Sequence, residues 1–514
     1  MKNPQMAAPS PLNRMLQAAD AAWERSDFQE CIDTLQRALR LAPANTTVLL
    51  KLGRVHGLRY DYAAAAQCFE KALRLAPRKT EMLAAIGDQC LAFNKLEMAE
   101  HYLRDAVASS DAPPQTFVIL ASVYERLRRL PEATQMVQRA LNLDPACPDA
   151  LLVEAHLEGL AGRLEAAEQG LRRVAHPKPA NITHVHAWYE LAALLDRQKR
   201  FDEAMEAFAT AKSFFLPQAT RQLAELKIVR TRLKAMESEA SPELFQRWIQ
   251  DASELMPPRK LALLTGHPRS GTTLLEQVLD SHPGIVSAEE TPIFAEDAFA
   301  LLRRNLPPDA YMLSVLQAAN PVALQQSRAA YFRSMEMVLG GRIADRLLID
   351  KNPALNFMIP AFVRIFPETK FIVALRDPRD VVLSCYMQNL HLSQMGAAYL
   401  TLQGTVDDYA NLMSIWLTLK PMLAGHFLEL RYEDMVEDLE SVVRKTLNFL
   451  DVPWDPIVLG FHEHARKKAI RSHTFADATQ PVYKRAKGRW RNYQKYLEPH
   501  LEKLEPFVKA FGYE

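Results

Sequence analysis

Small and large apolar residues recur along the first half of the chain at intervals of 34 residues. Small side chains occupy one position of the period, at Ala19, Gly53, Gly87, Ala121 and Ala155. A large residue follows nine positions later in each copy, at Phe28, Tyr62, Leu96, Leu130 and Leu164. This spacing predicts pairs of helices, in which the small residue lets one helix approach its partner and the large residue fills the gap between them.

Prolines and a sixth, shifted copy complete the pattern. The prolines keep the same interval, at Pro43, Pro77, Pro145 and Pro179. We expect them to end the second helix of each pair, because proline cannot continue the helical hydrogen-bond ladder. The last copy comes three residues late and includes Ala192 and Phe201. We therefore predict six tetratricopeptide repeats over residues 12–218, stacked as an all-α solenoid with a groove for a peptide or protein.

The hydrophobic pattern changes beyond Lys260. Residues 219–257 remain helical without the repeat, so we interpret them as a cap and linker that ends at Pro257-Pro258. Short apolar runs then alternate with helical stretches, at Leu261–Leu264, Leu347–Ile349, Phe371–Leu375 and Phe427–Leu430. This alternation predicts an α/β domain with a central parallel sheet over residues 258–514. Ligands of such sheets bind at the carboxyl ends of the strands.

The segment Gly266–Thr273 reads Gly-His-Pro-Arg-Ser-Gly-Thr-Thr and follows the first of these runs. Its spacing is typical of a P-loop, in which backbone N–H groups and a helix N-terminus bind a phosphate. A nucleotide triphosphatase has a lysine in place of Thr272, where it neutralises the β- and γ-phosphates. We therefore predict a nucleotide with less charge, 3′-phosphoadenosine-5′-phosphosulfate (PAPS), and no metal. The predicted contacts are Arg269, Ser270, Gly271, Thr272 and Thr273.

Arg376 leaves the end of a predicted strand, and Ser384 follows on a helix that Pro378 is expected to start. A guanidinium and a hydroxyl suit a phosphate with three acceptor oxygens. We interpret the pair as a phosphate site. The alternatives are that Asp377 is a magnesium ligand or that Arg376–Asp380 is a structural run of ion pairs.

Glu289-Glu290 and Lys351 are the candidates for chemistry. Transfer of a sulfuryl group to a hydroxyl requires the acceptor to lose a proton, and a carboxylate within hydrogen-bond reach can take it. Lys351 and Arg269 would stabilise negative charge on the transferring group. Without the neighbouring motifs, the two acids would be read as a solvated loop.

These motifs together resemble the tyrosylprotein sulfotransferases, and more closely the bacterial sulfotransferases that carry tetratricopeptide repeats. The resemblance covers residues 260–493 and rests on Pro268–Thr273, on Ser-Ala-Glu-Glu-Thr-Pro from Ser287, and on the Arg376 motif. It implies that Glu290 is the general base and that Lys351 reaches the leaving group. It also implies that Arg376 and Ser384 bind the 3′-phosphate, the group that distinguishes PAPS from ATP.

The same resemblance implies further contacts with the nucleotide. Thr474 takes the place of a family serine near the leaving group, and Tyr432 matches a family tyrosine at the nucleotide. The segment from Gln480 to Tyr493 resembles a lid of these enzymes, in which Lys487 or Arg489 lies near the 3′-phosphate.

The sequence departs from the family at two positions, and the second of them leaves the acceptor open. Gln388 stands where the animal enzymes have an arginine, and Pro292 stands where their basic, acid-reading residues begin. We predict a protein or peptide acceptor, tyrosine-like, in the repeat groove. A glycan, a lipid or a small phenol is the alternative. An adaptor that binds PAPS without turnover and an ATP-dependent kinase are the competing functions.

Composition excludes several other classes of protein. The 514 residues carry a net charge of +1, which argues against a nucleic-acid binder, and 48% are hydrophobic, which suffices for large cores. The chain has no apolar run long enough for a membrane span and no signal-like N-terminus, so we expect a cytoplasmic protein. Its five cysteines lack the spacing of a metal site or a disulfide framework.

Overall fold

The computed structural model describes residues 10–24, 27–251, 255, 257–304, 306–307, 310–423, 425–467 and 486–513. The chain forms two compact units, residues 1–176 and 177–514. This division groups the sixth repeat with the second unit, whereas the sequence pattern groups it with the other five. Within the described ranges, no helix is both long and apolar enough to cross a membrane.

The first unit consists of helix pairs that follow the 34-residue period. The pairs are α1 (Pro11–Glu24) with α2 (Phe28–Leu41), α3 (Thr46–Leu58) with α4 (Tyr62–Leu75), α5 (Lys79–Ala92) with α6 (Leu96–Val107), α7 (Pro114–Arg126) with α8 (Leu130–Leu143), and α9 (Pro148–Leu160) with α10 (Leu164–Val174). The large residue of each period begins the second helix of its pair. The repeat architecture predicted from the sequence is therefore confirmed for these pairs.

Close packing within a pair depends on the small residue. A Cβ atom at Gly87 would lie 2.4 Å from Cγ of Leu103, so the partner helix leaves room for hydrogen alone. Ala121 is fully buried at the equivalent position. The large position is less uniform than predicted, because Leu96 is buried while Leu130 is 37% exposed.

The second unit opens with the helices of the sixth repeat. Its helices, in chain order, are α11 (Ile182–Arg197), α12 (Phe201–Ser213), α13 (Thr220–Glu239), α14 (Pro242–Gln250), α15 (Thr272–Asp280), α16 (Ala300–Arg303), α17 (Met312–Ala318), α18 (Pro321–Leu339), α19 (Ile359–Ile365), α20 (Pro378–Tyr386), α21 (Gln394–Ala398), α22 (Leu402–Leu419), α23 (Tyr432–Glu437), α24 (Leu439–Phe449) and α25 (Phe461–Lys467), followed by Gln494–Leu497 and Leu501–Ala510. Helix α13 ends shortly before Pro242, because the residue that precedes a proline disfavours helical geometry.

A parallel sheet of five strands forms the centre of the second unit. The strands are β1 (Leu261–Gly266), β2 (Ile285–Glu289), β3 (Leu347–Lys351), β4 (Lys370–Leu375) and β5 (Phe427–Arg431), in the order β2-β3-β1-β4-β5. The predicted fold class is confirmed. The edge strand β2 was not predicted, because Ser287 and Glu289 interrupt its apolar character.

Helices cover both faces of this sheet. On one face, Ile372 of β4 packs in a core with Leu275 of α15. Its neighbour Phe371 points to the other face, since side chains alternate along a strand, and its ring lies 6.5 Å from that of Phe362 on α19. This double cover leaves the carboxyl edge of the strands open to a ligand.

Helix α12 is joined to the second unit by a buried lysine. Lys212 donates a hydrogen bond of 2.8 Å to the backbone oxygen of Tyr399, and its ammonium lies 4.7 Å from the ring centre of Tyr386 on α20. Burial lowers the pKa of Lys212 to about 7. The sixth repeat therefore contributes to the interior of this unit.

Removal of residues 1–176 should leave a second unit that unfolds cooperatively, because its core is self-contained. Removal of residues 1–217 should lower its melting temperature by roughly 5–10 °C or more, because α11 and α12 are lost with Lys212. Thermal unfolding followed by circular dichroism measures both truncations. Equal melting temperatures would show that the domain begins after the sixth repeat, as the sequence pattern suggests.

Candidate functional site

The predicted site residues in the described part of the chain gather at the carboxyl ends of the strands. The loop Gly266–Thr273 follows β1, Glu290 follows β2, Lys351 ends β3, Arg376 follows β4, and Tyr432 follows β5. Because all strands are parallel, these ends meet at one edge of the sheet. Thr474 lies outside the described residues.

The loop after β1 has the geometry of an anion cradle. Gly271 has φ of 95°, and a Cβ atom there would lie 2.7 Å from Cδ2 of Tyr432, so both its conformation and its surroundings favour glycine. Arg269 also has positive φ, 73°. Helix α15 begins at Thr272, directly after the loop, so the N–H groups of its first turn face an anion held there. Ser270 and Thr272 are both buried.

The Arg376 motif and this loop form a single site. Nε of Arg269 donates to Oγ of Ser384 over 3.1 Å, and Nη1 of Arg376 donates to the backbone oxygen of Arg269 over 3.2 Å. The guanidinium of Arg376 also lies 5.1 Å from the ring centre of Tyr432. Arg269, predicted to bind the 5′-phosphosulfate, and Ser384, predicted to bind the 3′-phosphate, are thus in direct contact.

Asp380, which the sequence offered only as part of the alternative run of ion pairs, holds the C-terminal segment beside Arg376. Its carboxylate accepts from the backbone N–H groups of Gly488 and Trp490, each over 2.7 Å, and lies 3.9 Å from Arg376. Nη2 of Arg376 donates to the backbone oxygen of Ala486 over 2.5 Å. Burial raises the pKa of Asp380, which Arg376 and the two N–H groups partly offset.

Two buried donors at this place have no hydrogen-bond partner among the described residues, Nε of Arg376 and Nε1 of Trp490. A buried polar group without a partner costs about 1–3 kcal/mol. A phosphate presents several acceptor oxygens, which are suitable partners for donors of this kind. The polar chemistry here therefore fits an anion.

Lys487 and Arg489 lie in different surroundings. Lys487 pairs with Glu437 at 2.9 Å, with both side chains about half exposed. Arg489 pairs with Asp196 at 2.8 Å and contacts Sδ of Met387, the residue after α20. Arg489 thus contacts the end of the helix that carries Ser384.

Lys351 is the centre of the second cluster at this edge. Its side chain has no solvent exposure, and Nζ lies 2.6 Å from Glu290, 3.3 Å from Glu289 and 3.7 Å from Glu276. Oγ1 of Thr273, from the loop, is 3.5 Å away. Burial acts to lower the pKa of Lys351, but the three carboxylates together raise it above its usual value. Lys351 is therefore an ammonium that faces both the loop and the candidate base.

Glu276 is the member of this cluster that sequence reasoning missed. It is fully buried, and its Oε1 accepts from Oγ of Ser287 over 2.7 Å. In the sequence it is one polar residue of a predicted helix, and such a residue is usually interpreted as part of the solvent-exposed face. Its position four residues after Thr272, on the same helix face, was the one available signal.

Glu290 differs from Glu289 in exposure and backbone. The side chain of Glu290 is 43% exposed and that of Glu289 is 6% exposed. Glu290 has φ of 48°, and its backbone N–H donates to the backbone oxygen of Lys351 over 2.7 Å. Such conformations of non-glycine residues cost about 1–3 kcal/mol and persist where the surroundings enforce them. The strained turn presents the Glu290 carboxylate outward, while Glu289 stays in the interior.

Comparison with known protein families gives matches in both units of the chain. Residues 262–456 match the sulfotransferase family. Residues 16–79 and 185–214 match tetratricopeptide repeats. The resemblance predicted from the sequence is confirmed, since one part of the chain matches the sulfotransferase family and other parts match tetratricopeptide repeats.

Individual relatives are distant. A protein of Aquifex aeolicus without an assigned function is 26% identical over 81% of this chain, which spans 53% of that protein. Protein-tyrosine sulfotransferase A of Caenorhabditis elegans is 24% identical over 48% of this chain and 66% of its own length. Among solved structures, the sulfotransferase domain of the Synechococcus olefin synthase covers 50% of this chain and 96% of its own, with 21% identity and a TM-score of 0.38.

Lys351→Met should reduce the free energy of unfolding at neutral pH by about 3–5 kcal/mol, because three carboxylates would face one another without their cation. Adding Glu276→Gln to that variant should recover part of the loss. Urea unfolding measures both. Lys503→Met is the matched control, since its half-exposed pair with Asp407 should contribute about 1 kcal/mol or less. A loss below about 1 kcal/mol for Lys351→Met, or no recovery, would contradict this description of the cluster.

Proposed function

We propose that the second unit transfers a sulfuryl group from PAPS to an acceptor hydroxyl. The observation that carries the proposal is the meeting, at one sheet edge, of an anion loop and a buried ammonium paired with an exposed carboxylate, beside buried donors that lack a partner among the described residues. These are the parts that the reaction needs. The sulfotransferase-family match over residues 262–456 supports the same conclusion.

The donor would be bound at both of its charged ends. The loop residues Arg269–Thr273 would hold the 5′-phosphosulfate through backbone N–H groups and the Arg269 guanidinium. Arg376, Ser384 and the Trp490 indole would hold the 3′-phosphate, the group that distinguishes PAPS from ATP. The contact between Arg269 and Ser384 supports this assignment, because it ties the two halves of the site together.

Transfer would proceed by in-line displacement at sulfur. The acceptor oxygen forms a bond to sulfur while the bond from sulfur to the bridging oxygen of the 5′-phosphate breaks, releasing 3′-phosphoadenosine-5′-phosphate (PAP). Glu290 takes the acceptor proton. Lys351 would exchange its 2.6 Å contact with Glu290 for the bridging oxygen, which both stabilises the leaving group and frees the base.

The acceptor in this proposal is a phenolic hydroxyl on a protein or peptide. The relatives named as protein-tyrosine sulfotransferases and the accompanying repeats support it. Pro292 lacks the positive charge that would read acidic neighbours of the target, so the repeats would select the acceptor. A glycan, a lipid or a small phenol would require only the catalytic edge.

PAP should raise the melting temperature of the protein, whereas ATP with magnesium should do so far less. Ligand at 100 times its dissociation constant stabilises the native state by about 2.7 kcal/mol, which is several degrees. Differential scanning fluorimetry measures the shift, and Arg376→Ala should remove most of it. An equal or larger shift with ATP and magnesium would favour a kinase.

Glu290→Gln should lower kcat by roughly 10²–10⁴-fold, as expected for loss of a general base. Its dissociation constant for PAP should stay close to that of the wild-type protein. Steady-state rates with a phenolic acceptor and calorimetry with PAP give the two values. Glu289→Gln is the comparison and should be milder. Near-normal turnover by Glu290→Gln would place the base elsewhere.

A further inference from the structure

The C-terminal segment that borders the anion site is held from its other side by the sixth repeat. Asp196, on α11, accepts a hydrogen bond of 2.5 Å from the hydroxyl of Tyr493 and pairs with Arg489 at 2.8 Å. The ring of Tyr493 is fully buried and meets that of Phe201, the first residue of α12, at 5.2 Å in an edge contact. Both helices of the repeat thus touch this segment.

The segment connects these helices to Arg376. Asp380 binds the backbone N–H groups of Gly488 and Trp490, and the guanidinium of Arg379 lies 4.1 Å from the centre of the Trp490 ring. The turn Arg489–Tyr493 therefore lies between α20 and the sixth repeat. A displacement of α11 would move Arg489 relative to Ser384 and Arg376.

We propose that Asp196 is a positioning residue for donor binding, which holds Arg489 ready to contact the 3′-phosphate. The sixth repeat would then help to form the donor site, through Asp196, instead of forming part of the docking groove. This inference rests on the proposed use of PAPS. A guanidinium has five N–H donors, so Arg489 can be held by Asp196 and still donate to a phosphate.

The ion pair of Asp196 with Arg489 is more buried than the neighbouring pair of Asp202 with Lys495. The Asp196 side chain is 17% exposed and that of Arg489 is 31% exposed, so their ion pair is partly shielded from water. Asp202, on α12, pairs with Lys495 and accepts from the Tyr496 hydroxyl, but its side chain is 62% exposed. Exposed pairs of that kind contribute little. Asp202 is therefore a matched control on the same repeat.

Calorimetry on the full chain, with PAP and with adenosine 5′-monophosphate (AMP), tests the proposal because AMP lacks the 3′-phosphate. Asp196→Asn and Arg489→Ala should each weaken PAP binding by roughly tenfold and leave AMP binding nearly unchanged. Asp196→Asn should add little in the Arg489→Ala background, because it acts through that residue. Asp202→Asn should bind PAP within about twofold of the wild-type protein.

Equal weakening of PAP and AMP by Asp196→Asn, or additive losses in the double variant, would overturn the proposal and leave Asp196 a structural role. Unchanged PAP binding in Asp196→Asn would also overturn it. If Asp196→Asn does not fold, Arg489→Lys must show the PAP-selective loss, since it keeps the charge without the planar fork. A wild-type protein that does not bind PAP would instead refute the proposed function, and this inference with it.

Discussion

The burial of one ammonium among three carboxylates is the interaction on which the site depends. Lys351 comes from β3, Glu289 and Glu290 from the end of β2, and Glu276 from α15. Buried charges are tolerated only when close partners offset their desolvation, so these elements must keep their register for the cluster to exist. The same contacts therefore stabilise the sheet edge and position the groups proposed for chemistry.

This cluster also holds the proposed base, Glu290, next to the proposed cation, Lys351. Glu276 and Glu289 also lie beside Lys351, so the ammonium would keep two acidic partners if Glu290 takes a proton as proposed. Preoriented groups of this kind reduce the reorganisation needed at the moment of transfer. A donor with concentrated negative charge is what would draw Lys351 away from Glu290.

The sixth repeat keeps the sequence spacing of the array but packs as part of the second unit. Lys212 binds Tyr399, and Asp196 binds Arg489 and Tyr493, all in the second unit. Repeats normally contact their neighbours, and here the last one contacts the domain that follows. The first five repeats form the other unit.

Much of the fold could be predicted because its signals are local. The strands β1, β3, β4 and β5 are apolar runs, and the motifs that follow β1, β2, β3 and β4 contain the residues that meet at one edge. The strand β2 was missed because Ser287 and Glu289 make it read as a loop. The partners Glu276 and Asp196 could not be predicted, since each acquires its role through contact with residues distant in the chain.

Transfer of radiolabelled sulfur from PAPS is the most direct measurement of the central claim. The full-length protein would be incubated with labelled PAPS and a lysate of the organism that makes it, and the labelled species identified by mass spectrometry. We expect PAP to be released with equal molar transfer of label to hydroxyl groups of protein, and little transfer by Glu290→Gln. Binding of PAPS without transfer to any protein, glycan, lipid or phenol would contradict the claim and identify a non-catalytic PAPS-binding protein.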